Sequence, residues 1–333
     1  MRWSEEKGFE ILGYFGREVV FEFSFVGIGA GWGLLEETQS VEEVAVTPSL
    51  WEDIKVLVKA RLNLFVVITT FFGYAIACRA GGWDFWILLH LLLGTTACAF
   101  GSAVFNQLAE IESDALMART RNRPLPSRRM GVVPAFVIGW LLSGLGVVHL
   151  LAKVSVVAGF LAGATIGIYV FIYTPLKKIS SMNTLVGAVP GALPPLIGWV
   201  AGGGEWTALG GWYLFALLFL WQLPHFVAIN WLCREEYELA GYRMWSNGDV
   251  SGKRSVALAV IFSAGLVLLA VGAWPLGLAS WLYALVGGAF SGWLIWLGIV
   301  FLKTGDRVRF RKFFLGTLLY LPLTLIALWL FWR

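Results

Sequence analysis

The chain has 333 residues, 58% of them hydrophobic and 14% charged, with a mean hydropathy of +0.75. A soluble globular domain carries about a quarter charged residues, so the composition excludes a water-soluble enzyme and points to a membrane protein. The formal net charge of +4 follows from where lysine and arginine stand between apolar runs, and no nucleic-acid partner is expected.

In chain order, residues 1–48 mix acidic side chains with a glycine-rich apolar patch, FVGIGAGWGLL, too short for a span. They are expected to form an N-terminal extension, separate from a domain over 49–333. The opening MRWSEEKGFE carries acids where a signal peptide needs a basic start. After Pro48, Ser49 and Glu52 have the spacing of a capping box, and Leu50, Ile54, Leu57, Val58 and Arg61 recur at helical intervals. This predicts a short interfacial helix leading into the first span.

Nine stretches then approach the roughly 20 apolar residues that cross a bilayer: 62–79, 84–106, 131–151, 154–174, 184–203, 210–232, 255–274, 276–300 and 313–332. They are continuous apolar runs, not the ten-residue alternations of barrel strands, so the expected fold is an all-α membrane protein with nine transmembrane helices in one bundle. The loops after the even-numbered spans hold sixteen lysines and arginines; the opposite side holds Arg79, Lys153 and Arg333. By the positive-inside rule the N-terminus and the even loops are cytoplasmic and the C-terminus is outside. Cys78, Cys98 and Cys233 have no paired spacing, which predicts neither disulfides nor a zinc site.

The segment NQLAEIESDALMARTRNRPLPS, 106–127, concentrates charge where an apolar run ends. Asn106, Glu110 and Asp114 are four apart, which places them on one face of a continuing helix. Two carboxylates and an amide oxygen are hard ligands of the kind magnesium accepts while bridging to phosphates. Arg119 and Arg123 follow, with guanidinium forks that match phosphate oxygens, and Pro124 is expected to end the helix. The chemistry is that of a diphosphate site. A solvated loop whose acids balance topogenic arginines is the alternative; Asn106, still within the apolar run and needing a partner there, speaks against it.

The same residues carry a resemblance. Asn-x-x-x-Glu-x-x-x-Asp after the second span resembles the first signature of the intramembrane UbiA-type prenyltransferase superfamily, in the version of its protoheme IX farnesyltransferase (heme O synthase) branch. YTPLKKISSMNTLVGAVPGALPPLIGW, 173–199, and WQLPHFVAINWLCREEYELAG, 221–241, are similar to two further stretches of that branch, in order. The resemblance implies a central cavity opening near the cytoplasmic side, with magnesium held by Asn106, Glu110, Asp114 and Glu236, and Glu235 in reserve. Diphosphate would be bound by Arg119, Arg123, Lys177, Lys178 and Tyr173, and the porphyrin contacted by His225 and Gln222. The second motif of most of the superfamily is Asp-x-x-x-Asp, whereas Leu239 stands four after Glu235; Glu-Glu-Tyr-x-x-Ala-Gly resembles the heme branch with glutamate for aspartate. YRMWSNGDVSGKRS, which follows, departs from the apolar continuation of the family and suggests no role for Asp249 or Lys253.

Within 184–203, Gly187, Gly191, Pro194 and Pro195 permit either a broken helix or close packing. Phe105, Phe226 and Trp221 are candidate aromatic faces for a cation, and His90 and His149 are read as structural or interfacial. The resemblance implies farnesyl diphosphate and heme B as substrates, the lipid bilayer as surroundings, the cytoplasmic (inner) membrane as location, and a downstream heme A synthase or heme–copper oxidase assembly factors as partners. Competing readings are a prenyltransferase acting on a quinone precursor or other aromatic acceptor, and a polytopic transporter. A transporter predicts polar residues along a path through the bilayer, but here they gather on one side.

Overall fold

The computed structural model describes residues 48–79 and 81–333. The extension expected over 1–48 therefore lies, Pro48 apart, outside the described residues. Two compact units divide the chain, Met1–Asp53 and Ile54–Arg333, and all nine spans described below belong to the second.

The helices are α1 (Leu50–Leu57), α2 (Ala60–Ala77), α3 (Phe85–Ala109), α4 (Ile111–Leu116), α5 (Val132–Lys153), α6 (Val156–Gly167), α7 (Thr174–Ile179), α8 (Asn183–Ala201), α9 (Leu209–Leu232), α10 (Arg234–Leu239), α11 (Lys253–Gly272), α12 (Trp281–Thr304) and α13 (Arg307–Phe331). Six residues of wider π-helical winding, Ile168–Tyr173, join α6 to α7. The nine helices among the described residues that are long and apolar enough to cross a membrane are α2, α3, α5, α6 through α7, α8, α9, α11, α12 and α13. The nine-span expectation holds, with shifted ends. α12 starts at Trp281 instead of 276, because residues 273–280 form a turn with Gly277 at φ 73°. α13 starts at Arg307 instead of 313, because the Asp306 carboxylate accepts from Val308 N–H and caps a charged turn that continues into the apolar run.

Local sequence sets the other starts. Ser49 N–H donates to Glu52 Oε2 at 2.7 Å and Glu52 N–H to Ser49 Oγ at 3.3 Å, the reciprocal capping box expected at α1. Asp84 accepts from Trp86 and Ile87 N–H at the head of α3, and Ser155 accepts from Ala158 N–H at the head of α6.

α8 is the central post, packed against α2, α6 and α9. Despite Pro190, Pro194 and Pro195 it runs unbroken, so close packing, not a broken helix, is what its glycines serve. A Cβ on Gly73 of α2 would stand 2.0 Å from Pro195 O, and one on Gly198 2.0 Å from Thr70 O; two backbones approach where only hydrogen fits. α3 packs on α5, α9 on α11 and α13, and α12 on α11 and α13. The ring closes where Arg79, after α2, donates from both guanidinium NH groups to Trp329 O and Leu330 O at the end of α13. Large apolar side chains such as Phe160, Phe171 and Leu268 face outward, as lipid contact requires and water would penalise. The three cysteines are free, Cys78 and Cys98 buried and Cys233 half-buried.

The expected central cavity is not displayed. Between α2, α3, α6 and α8 there is a space of about 30 Å³, lined by Val66, Thr95, Cys98, Ala99, Ser102 and their neighbours.

Candidate active site

The first acidic segment does not continue as one helix. α3 ends at Ala109, Glu110 leaves helical geometry (φ −109°, ψ 10°), and α4 resumes at Ile111. This corrects the single-face expectation for Asn106, Glu110 and Asp114. The Glu110 N–H is shared between Asn106 O and Gln107 O, and Asp114 N–H still donates to Glu110 O at 2.7 Å. One-turn spacing survives across a break in the helix. Pro124 is not the stop either: α4 ends at Leu116 with Met117 extended, and Thr120 Oγ donates to Asp114 O at 2.9 Å. A hydroxyl three residues beyond the cap takes the free carbonyl before proline is reached.

Each of the three motif side chains, Asn106, Glu110 and Asp114, has a cationic partner. Asn106, fully buried, accepts from the Lys59 ammonium and donates to Thr174 Oγ at 3.2 Å. Lys177 Nζ donates to Glu110 Oε1 at 2.6 Å, and Arg123 to Asp114 Oδ2 at 2.6 Å. Burial alone would raise the Glu110 carboxyl, but the Lys177 and Lys59 charges outweigh it and hold the group below the ordinary carboxylate range. Burial, reinforced by the Arg123 charge, pushes the Lys59 ammonium down to about 7. Lys177 Nζ also lies 4.7 Å from the Tyr173 ring centroid and 5.6 Å from that of Tyr242. The π-helical winding sets this up: it lets Thr174 Oγ donate back to Tyr169 O at 2.8 Å and aims Tyr173 and Lys177 at the α3–α4 junction.

Lys59 escaped the sequence reading. It sits between α1 and α2 at φ 48° and ψ 49°, a left-handed conformation uncommon outside glycine. Gln107 Nε2 donates to Val56 O and Leu57 O, and Asn63 Nδ2 to Val58 O and Ala99 O. Those bonds hold the α1–α2 corner open against α3. The readable signal was polar: Asn63 inside an apolar span and Gln107 beside Asn106 both needed buried partners.

The second acidic motif meets the first through Arg119. Its Nε lies 3.7 Å from Glu236 Oε2 and its NH2 donates to Tyr237 OH at 3.3 Å, while Met117 packs with Ala240, Tyr242 and Met244. The segment after the motif is also tied in, since Arg243 N–H donates to Lys177 O at 2.7 Å and Asn183 Nδ2 to Arg243 O at 2.7 Å. Asp249 accepts from Ser255 N–H and Oγ at 2.8 Å, giving it a structural place at the head of α11.

Four sequence candidates stand apart. Glu235 is exposed and pairs with Arg234 at 2.8 Å, and Lys178 is exposed. His225 Nδ1 is 2.9 Å from Thr317 Oγ, with its ring stacked between Trp221 and Phe314 at 5.3 and 5.0 Å. Gln222 donates to Ala188 O and Leu218 O. Both belong to hydrogen-bonded helix packing. Trp221 Nε1 donates to Thr317 O, which fixes its ring against α13.

Among the described residues no three carboxylate, histidine or cysteine side chains gather closely enough to form a ready metal cage; each acid faces a base. The donor chemistry nevertheless suits a hard cation. Asp114 Oδ1 and Glu236 Oε2 are buried oxygens without a hydrogen-bond donor, the kind of group that magnesium satisfies. Around the first motif three bases, Lys59, Arg123 and Lys177, face two acids. That surplus of positive charge favours an anion.

The chain as a whole is similar to known proteins. The chain is 40% identical over 273 residues to a protoheme IX farnesyltransferase of Opitutus terrae, covering 82% of this chain and 92% of that protein. It is 36% identical over 278 residues to the mitochondrial protoheme IX farnesyltransferase of Arabidopsis thaliana, covering 84% and 63%. A solved structure described as digeranylgeranylglyceryl phosphate synthase superposes with a TM-score of 0.69 at 18% identity, covering 84% of this chain and 97% of that one. A UbiA homolog from Archaeoglobus fulgidus, bound to DMAPP and Mg2+, superposes with a TM-score of 0.57 at 15% identity, covering 83% and 99%. The sequence profile of the UbiA prenyltransferase family matches residues 66–332, and the chain is a membrane-embedded prenyltransferase of that family.

Proposed function

We propose that the chain transfers the farnesyl group of farnesyl diphosphate to a vinyl group of heme B, with addition of water, giving heme O and diphosphate. The observation that carries the reading is that bases of the loop after the first acidic motif pair with acids of both motifs, Arg119 with Glu236 and Tyr237 of the second loop and Arg123 with Asp114 of the first. The protoheme IX farnesyltransferase relatives support the acceptor and donor.

Asn106, Glu110, Asp114 and Glu236 are assigned as the magnesium-holding oxygens; Glu235 is set aside because it faces solvent. The ion supplies Lewis-acid neutralisation of the leaving diphosphate. Lys59, Lys177, Arg119 and Arg123 bind the diphosphate oxygens, with Tyr173 bracing Lys177. As the C–O bond at the first prenyl carbon breaks, negative charge grows on the leaving oxygens and these four cations stabilise it. The heme vinyl carbon then bonds to the allylic cation, and water adds to the neighbouring carbon with loss of a proton. Lys177, Arg123 and Arg119 now pair with acids and Lys59 with the Asn106 amide, so binding of the anion exchanges partners: lysine and arginine turn from these oxygens to phosphate. The apolar spans exclude water from the cation; the prenyl chain and the porphyrin require a central cavity larger than the space of about 30 Å³ at Ser102 and Thr95. Residues 49–333 form the catalytic domain. It lies in the cytoplasmic (inner) membrane with acidic loops and N-terminus cytoplasmic and C-terminus outside, on the lysine and arginine distribution, and it delivers heme O to a heme A synthase or heme–copper oxidase assembly factors.

Expression in a heme-producing host tests the reaction: extracted hemes should include a more hydrophobic species bearing a hydroxyethylfarnesyl arm, and a heme pool unchanged from the host alone would reject it. Lys59→Met, which keeps length and removes charge, should lower kcat/KM by about a hundredfold, the equivalent of about 3 kcal/mol for a hydrogen bond to a charged group. Kinetics within about threefold of wild type would remove Lys59 from the diphosphate set.

A further inference from the structure

At the end of the bundle opposite the acidic loops, two of the chain's three histidines face each other across α3 and α5. His90 Nδ1 and His149 Nε2 are 3.2 Å apart, their ring centroids 5.0 Å apart and their planes inclined at 56°. We infer that His90 and His149 chelate one divalent transition-metal ion of the copper or zinc type.

The separation decides which ion geometry fits. Two imidazole nitrogens bound cis to a tetrahedral ion at about 2.0–2.1 Å stand about 3.3 Å apart, close to the distance here. A heme iron sandwiched between two trans imidazoles would need about 4 Å, from the same bond lengths, which this pair does not offer. The nitrogens now share one hydrogen. An ion replaces it, and the ring that held that hydrogen carries it on its other nitrogen, so no net proton is released and both facing nitrogens present lone pairs.

The pair is held on packed backbone. A Cβ on Gly146, three residues before His149, would stand 2.8 Å from Cys98 N and 3.0 Å from Gly94 O, so α5 lies directly on α3 at this level. Both rings are half-buried, and His149 borders a groove of about 150 Å³ lined by Leu93, Gly94, Ala97, Leu145 and Gly146. The remaining coordination positions are left to ligands from outside the chain. Two protein ligands make the site weaker than a three- or four-ligand zinc centre. Because His90 is sixteen residues from Asn106 on the same helix, about 24 Å along its axis, the site is separate from the prenyl-transfer chemistry.

Copper(II) is the probe, since imidazole sites bind it most strongly among these ions and its electron paramagnetic resonance spectrum counts nitrogen ligands. The full chain, purified in detergent through a tag without histidine, should bind one copper(II) with coupling to two nitrogens. His90→Ala and His149→Ala should each weaken binding at least about tenfold and leave one coupled nitrogen, with heme O formation retained as the sign of an intact fold. A wild-type spectrum without two coupled nitrogens overturns the inference whether or not the variants fold, and so does copper binding by the His90→Ala/His149→Ala double variant equal to wild type.

Discussion

Asp114→Asn should reduce heme O formation by at least about a hundredfold, the loss typical of deleting one preorganised charge or dipole at a reacting centre. Asp114 is 1% exposed, with one oxygen taking the Arg123 guanidinium at 2.6 Å and the other lacking a donor. Asparagine keeps the shape and an acceptor for Arg123, so helix packing is retained. It loses the negative charge that draws magnesium and the second anionic oxygen that would ligate it. The loss should fall on kcat as well as KM, because the interaction matters most when the leaving group carries its full charge. The measurement is the ratio of heme O to heme B in extracts at matched protein level, with the melting temperature in detergent as control. An enzyme that keeps near-wild-type turnover with an unshifted melt would remove the first acidic motif from the chemistry.

Gly198→Ala should have the largest effect on stability. The added methyl would lie 2.0 Å from Thr70 O, 2.8 Å from Tyr74 N and 2.9 Å from Thr70 C. All three are backbone atoms of α2, which cannot swing aside as a side-chain tip can, so α2 must retreat from α8 along its length. Overpacking in a close-packed interior costs about 1–3 kcal/mol, and a backbone clash belongs at the upper end or beyond. A fall of about 5 °C or more in melting temperature follows from about 3 kcal/mol in a chain of this size. Because α2 begins one residue after Lys59, activity should fall with stability. Gly144→Ala on α5, where nothing lies within 4 Å of the new methyl, is the contrast and should be neutral. Equal behaviour of the two variants would show that the α2–α8 approach is not what holds the bundle.

The nine spans were legible because apolar runs of bilayer length have few other solutions in lipid, where every backbone group must bond within its own helix. The acidic segment was legible as chemistry: Asn106, Glu110, Asp114, Arg119 and Arg123 are residue types that seldom collect at a membrane edge without a ligand. Its shape was not. Periodicity predicted one continuous helix through Asp114, but a shared N–H bond at Glu110 ends α3 before α4 starts at Ile111, a choice made by hydrogen bonds that no spacing encodes.

His225 and Gln222 show how far a polar signal reaches. Polar residues at membrane depth in a family-like stretch suggested porphyrin contact, and the fold supplies the partners that spacing could not name, Thr317, Ala188 and Leu218 in neighbouring turns and helices. Lys59 shows what local reading omits. Its own position announces no site, and it joins one only because Gln107 and Asn63 hold the α1–α2 corner against α3. Hydropathy and charge, which act through the solvent and need no partner, thus established the membrane class and the number of spans, while the family resemblance rested on three stretches of sequence in order. Which base meets which acid, Lys177 with Glu110, Arg123 with Asp114 and Arg119 with Glu236, depended on helix packing, because those pairs are 67, 9 and 117 residues apart in the chain and only the folded bundle brings them within reach.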